Sequence, residues 1–273
     1  MGDAGERQPE RRRGVFFRVR VGVLLAILLG VALFAWRDVR RRRGRTEWDR
    51  PLDVALVVLR EGPVDPEAVA AMRARLPALA DRLEAERRRH GGTGVRPFFF
   101  TLHGPVDVSA PPPLRPDEGV VDAVERALAL RSYLADVDGR AGVDAGAYDA
   151  RIYLVVRPPV SRDRMGIEGA SEDGGHVGSV QVELDVSMVD FALFVATHEL
   201  FHTLGAKDKY DATGHALDPD GLAEPDLQPR FPQRLVEVMA RSRPLGGGLE
   251  VPPESLDELS VGAATAREIG WRR

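Results

Sequence analysis

His198-Glu199-Leu200-Phe201-His202-Thr203-Leu204-Gly205-Ala206-Lys207-Asp208 reads H-E-x-x-H-x-x-G-x-x-D. Residues four apart on a helix share a face, so His198 and His202 can converge on one ion. Glu199 is turned off that face by one residue. It can reach a water at the metal without being a ligand, the position a general base needs. Gly205 tolerates left-handed backbone, which lets the helix stop and the chain turn back. Asp208, just past that turn, is placed to supply a third, carboxylate ligand. A zinc ion held this way keeps a tetrahedral position open, unlike the closed sites that serve structure alone. The competing reading makes both histidines satisfied residues of a buried helix, but burying Glu199 beside them would then be costly.

The surroundings read as a helix. Ser187-Met188-Val189-Asp190 looks like a capping-box start with Asp in place of Glu or Gln. Phe191, Phe194, Val195, His198 and His202 follow at steps of three and four.

On these residues the chain resembles the metzincin-type zinc metalloproteases, and within them the snapalysin-like bacterial branch that uses Asp as third ligand. The resemblance implies zinc on His198, His202 and Asp208, with Glu199 as general base and a peptide or protein as substrate. It implies a methionine-bearing turn beneath the zinc, for which Glu237-Val238-Met239-Ala240 supplies Met239. It implies a closing C-terminal helix, matched by residues 255–271. It also implies that the strand before the active helix, residues 177–185, lies at the sheet edge and takes extended substrate as a further strand. The sharp motif covers eleven residues. Many metzincins have a third His where Asp208 stands.

Several residues compete for roles near this motif. Tyr210 is a candidate transition-state stabiliser. His215 and Glu237 are rival third ligands, and His176 lies in a glycine-rich loop where a surface position is the simpler reading. Met239 has core filling as its bland alternative. Asp218-Pro219-Asp220-Gly221 with Glu224 and Asp226 has the oxygen density of a calcium loop. It lacks the twelve-residue pattern, so a solvated turn is favoured over calcium.

The chain has 273 residues, 44% hydrophobic, enough for one globular domain and an extension. It has no cysteine, which excludes disulfides, thiolate metal sites and a cysteine-switch pro-segment. Of 38 basic residues only Lys207 and Lys209 are lysine, and both flank Asp208; the sequence offers no role for that placement. Residues 1–50 carry a net charge of +7, which leaves −11 for residues 51–273. So acidic a body is a poor binder of nucleic acid.

Arginines bracket an uncharged run at 21–36. At 1.5 Å per residue it spans about 24 Å, slightly short of a bilayer core. With Arg20 snorkelling, the run is read as a single-pass anchor rather than a cleaved signal peptide, because no small-x-small cleavage site follows. The expected organisation is a basic tail (1–20), a transmembrane anchor (21–36), a basic linker (37–50) and a zinc-metallopeptidase-like catalytic domain (51–273). Arginines on both sides leave the positive-inside rule undecided. The expected location is the bacterial inner membrane, with the catalytic domain extracytoplasmic and the anchor in contact with lipid.

Apolar runs at 54–59, 97–102, 151–156 and 177–185 read as strands. Residues 66–89, with a break or kink at Pro77, and 117–137 read as helices, and 158–175 as a loop. That order predicts an α/β (α+β) fold, a zincin- or metzincin-like layered domain with a twisted, mostly parallel sheet, an active-site helix and a C-terminal helix, preceded by one transmembrane helix. The expected function is a membrane-anchored zinc metallopeptidase. The alternatives are a non-catalytic zinc-binding domain and a metal-free envelope interaction domain. The sequence does not indicate an oligomeric state.

Overall fold

The computed structural model describes residues 11–114, 120–159, 168–171 and 175–272. The chain divides into two compact units, Met1–Gly44 and Arg45–Arg273.

Helix α1 spans Arg11–Thr46. The expected membrane anchor is corrected here: among the described residues no helix is long and apolar enough to cross a membrane. The uncharged run at 21–36 falls several ångströms short of a hydrocarbon core of about 30 Å. The helix then continues into arginines at both ends, including Arg18, Arg20 and Arg37. The correction extends to the lipid contact, the inner-membrane location and the extracytoplasmic placement that rested on the anchor.

The second unit is a mixed α/β structure around a mostly parallel five-stranded sheet. Its strands are β1 (Leu52–Arg60), β2 (Phe98–Asp107), β3 (Ala150–Arg157), β4 (Glu168–Ser171) and β5 (Val177–Glu183), in the order β2-β1-β3-β5-β4. The pairs β1–β2, β1–β3 and β3–β5 are parallel, and only β4 runs antiparallel, on β5. β1 and β3 are near-continuous apolar runs because both of their faces are covered. From β1, Leu52, Val54, Leu56 and Val58 point into one core, and Ala55, Val57 and Leu59 into the other.

The larger core lies between the sheet and helices α2 (Pro66–Arg89) and α4 (Val189–Thr203); the smaller one is filled from α3 (Val120–Ala141). α2 starts where Asp65 accepts from the Glu67 amide at 2.9 Å, with Pro66 in the first turn. Its stripe of Ala68, Val69, Met72, Leu76, Leu79 and Leu83 is buried, and the helix runs on through Pro77 instead of breaking there. Packing of that stripe outweighs the one hydrogen bond that proline removes.

Three further expectations are revised. Residues 158–175 contain β4, so β4 and not β5 forms that edge of the sheet. The cap belongs to Asp185, which starts the 3-10 turn (Val186–Met188) leading into α4; its carboxylate accepts from the Met188 amide at 3.0 Å and from the Ser187 hydroxyl at 2.6 Å. Asp190 instead pairs with Arg75 of α2 at 2.6 Å. The C-terminal segment is not one helix. It makes a 3-10 turn (Leu256–Glu258), a two-residue strand β9 (Leu259–Ser260) and a six-residue helix α5 (Ala263–Glu268). β9 is held extended by parallel pairing with β6 (Val236–Glu237). Strands β7 (Arg243–Gly246) and β8 (Leu249–Val251) form a separate hairpin.

Candidate metal centre

α4 is buried on nearly every side, as a helix through the middle of a core must be. Phe201 on its back face packs against Phe98 and Trp271, which with Trp48 form one aromatic cluster. Opposite, Gly178 of β5 lets the helix lie close: a Cβ there would fall 3.3 Å from that of Glu199 and 3.0 Å from Ile152 Cδ1. Both contacts fix the rotation of α4 about its axis, and so the direction in which its histidines point.

The helix ends in a Schellman arrangement. Gly205 has φ +96°, the Ala206 amide donates to Phe201 O at 3.0 Å, and the Gly205 amide donates to His202 O at 2.9 Å. The turn carries the chain back so that Asp208 faces the two histidines. His198 and His202 Nε2 lie 3.1 Å apart, and Asp208 Oδ1 lies 3.3 and 3.2 Å from them. Among the described residues this is the one cluster of three ligating side chains.

Those separations can be compared with a zinc site. The edge of a tetrahedron is 1.63 times its centre-to-corner length, so Zn–N and Zn–O bonds of ~2.0–2.1 Å require ligand atoms about 3.3–3.4 Å apart. The protonation states also suit a cation. His198 Nδ1 is 2.9 Å from Val238 O, and His202 Nδ1 is 2.8 Å from Ala206 O. A carbonyl can only accept, so each Nδ1 carries a proton, and each Nε2 can turn a lone pair toward the cluster once it gives up its own, as metal binding requires. The three side chains therefore fit a tetrahedrally coordinated divalent metal such as zinc.

The charges of the site interact strongly. Burial lowers the His202 pKa, but the hydrogen bond it donates to Asp208 and the negative charges of Glu199 and Asp208 outweigh it, and the net shift is upward. For Asp208, burial acts to raise the pKa, while hydrogen bonds from His198 and His202 pull it well below the usual carboxylate range. Glu199 is buried on α4 beside the two histidines.

Met239 is fully buried in the turn that follows β6. Its neighbours tie that turn to the site: Val238 O takes the His198 ring, and Met239 O accepts from the Lys209 amide at 2.9 Å. Glu237 does not join the His198–His202–Asp208 cluster. Its carboxylate accepts from the Met239 and Gly262 amides at 2.5 and 3.0 Å and from Thr265 Oγ1 at 2.7 Å, which binds the turn to α5.

Tyr210 stacks on His198 with ring centroids 6.4 Å apart. Burial, with the charge of Asp208, raises its phenol to about 12. Arg241, which the sequence did not single out, ends the methionine turn at φ +71° and lays its guanidinium 5.2 Å over the Tyr210 ring. Left-handed backbone at a non-glycine residue is uncommon and tends to occur at functional sites.

The other candidates lie elsewhere. His215 is exposed and bonds to Thr213 at 2.9 Å and to Gly248 O at 3.3 Å. His176 holds Asp149 O at 2.8 Å. In the acidic loop Asp218 pairs with Arg230 at 2.9 Å and Glu224 with Arg234 at 2.5 Å, so two of its carboxylates serve guanidinium groups.

No family model matches this chain, and no curated protein matches it. Among solved structures it is similar to archaemetzincin from Methanopyrus kandleri, at 16% identity over 59% of this chain and 77% of that chain, with a TM-score of 0.29. A likeness this loose carries no argument about fold or function.

Proposed function

We propose that the unit Arg45–Arg273 is a zinc-dependent metallopeptidase, with His198, His202 and Asp208 as ligands and Glu199 as general base. The observation that carries the reading is the ligand triangle of 3.1–3.3 Å whose two imidazoles are both held by backbone carbonyls at Nδ1. A zinc ion held there would supply Lewis acidity and make a water nucleophilic near neutral pH. Glu199, one residue off the ligand face, takes a proton from the attacking water at its carboxylate and delivers it to the leaving amine nitrogen. Tyr210, its phenol raised to about 12, stays protonated at neutral pH. It can donate a hydrogen bond to the oxygen that gains charge as the peptide carbonyl is attacked. The extended substrate would pair with β4, the edge strand of the sheet among the described residues.

The test is zinc content and cleavage of an unfolded protein by the full chain, beside His202→Ala and Glu199→Gln. About one zinc per chain is expected, lost in His202→Ala and kept in Glu199→Gln, with cleavage lost in the first and lowered about 10²–10⁴-fold in the second. A wild-type chain that takes up no zinc would end the reading. Full cleavage by zinc-loaded Glu199→Gln would remove its mechanism.

A further inference from the structure

Asp208 differs from the histidines in standing on a loop, so something outside the helix must hold it. The residues on either side of it end on one carboxylate. The Lys207 amide donates to Glu268 Oε2 at 3.0 Å. Lys209 Nζ donates to Glu268 Oε1 and Oε2 at 2.9 and 2.8 Å and to Lys207 O at 2.9 Å. The Lys209 amide is tied to Met239 O as well. Lys209 is only 4% exposed, and its ammonium places all three of its donors. A compact ammonium can spread three bonds from one atom to a carboxylate fork and a nearby carbonyl, whereas a planar guanidinium presents its donors in a flat fork. This gives the Lys209 side chain a use, with Lys207 contributing its backbone amide and carbonyl to a clamp that closes on Glu268 of α5.

We infer that Glu268 is the positioning residue for the third metal ligand, acting through Lys207 and Lys209 to hold Asp208 opposite the histidines. The inference rests on Asp208 being a ligand, as proposed above. A ligand whose loop is already ordered loses less entropy when the ion binds. Partners of ligands outside the coordination sphere are typically worth 10–100-fold in metal affinity. Glu268 touches neither the reacting atoms nor the histidines in any described contact, and its shortest route to the site runs through the loop that carries Asp208.

A double-mutant cycle on the full chain tests this, with zinc affinity measured by competition against a chelator. Glu268→Gln is expected to weaken zinc about 10–100-fold. In an Asp208→Ala background the same change should cost less than about 3-fold, because the residue it acts through is gone. Unchanged affinity in Glu268→Gln would overturn the inference, as would an equal loss in both backgrounds. Asp208→Ala binding zinc as tightly as wild type would remove Asp208 from the ligand set and sink the inference with it, while leaving the histidines in place. No zinc in wild type would sink both readings. Amide exchange on the metal-free wild-type chain needs no variant to fold. The Lys207 amide should be protected, and exchange at the rate of an open loop would refute the clamp.

Discussion

His198 and His202 ride on a helix buried nearly all round, whereas the Asp208 side chain is 42% exposed on a loop. The helical pair needs little from outside: the spacing of four sets its convergence, and two nearby carbonyls set its tautomers. The aspartate depends on a glycine turn, on Lys207 and Lys209, and on a carboxylate sixty-one residues from Lys207. Two rigid side chains and a tethered one thus meet in a single triangle. A helix makes a site precise through local geometry, while a loop must import its precision through long-range contacts.

This contrast can be broken experimentally. The largest expected effect lies on the helix but outside the ligand set: Glu199→Gln should lower peptide cleavage about 10²–10⁴-fold while zinc content stays unchanged. Single-turnover cleavage by zinc-loaded protein would show it. His202→Ala comes next and should weaken zinc by more than about 100-fold, beyond the range of outer partners. Asp208→Ala should weaken zinc by a smaller factor, because two rigid imidazoles remain; chelator competition would rank the two variants. The reverse ranking would mean that the loop, not the helix, dominates the site.

The smallest effect is a pH dependence of the metal-free protein. The folded His202 pKa is raised above 6.5, so its contribution is present below that value and is lost as pH rises through the raised pKa. The folded Asp208 pKa is depressed below 3.8, so its contribution is present above that value and is lost only in strong acid. The imidazolium–carboxylate pair therefore stabilises the metal-free fold between about pH 3.8 and 6.5 and fades as pH rises through the raised His202 pKa. Asp208→Asn should remove this trend, as denaturant midpoints at pH 6 and pH 8 would reveal. Zinc affinity should move the opposite way and rise with pH, since the ion displaces the His202 proton.

How much of this was legible in the chain follows the same division. Helix α4 could be read because its period is local, and the parallel sheet because β1 and β3 are continuous apolar runs. Short-range chemistry also pointed to Gly205 as the end of α4. The carbonyls of Val238 and Ala206 left no mark, since any residue type offers a carbonyl. Glu268 looked like one surface acid among many until the fold brought it under the loop. β4 was hidden because its Glu168-Gly169-Ala170-Ser171 strand has no apolar alternation. The cap went to Asp185 because Asp190 faces Arg75, a partner 115 residues away. The uncharged run at 21–36 was misread because its arginine flanks mimic the ends of a membrane span, although it is too short for one.

The composition of the clamp has a practical side. Every ε-amine in this arginine-rich chain lies next to Asp208, with Lys207 exposed and Lys209 buried. An amine-reactive reagent would therefore label Lys207 readily and leave Lys209 intact while the loop is closed. Acylation of Lys209 would record the loop opening, against a side-chain background confined to its neighbour.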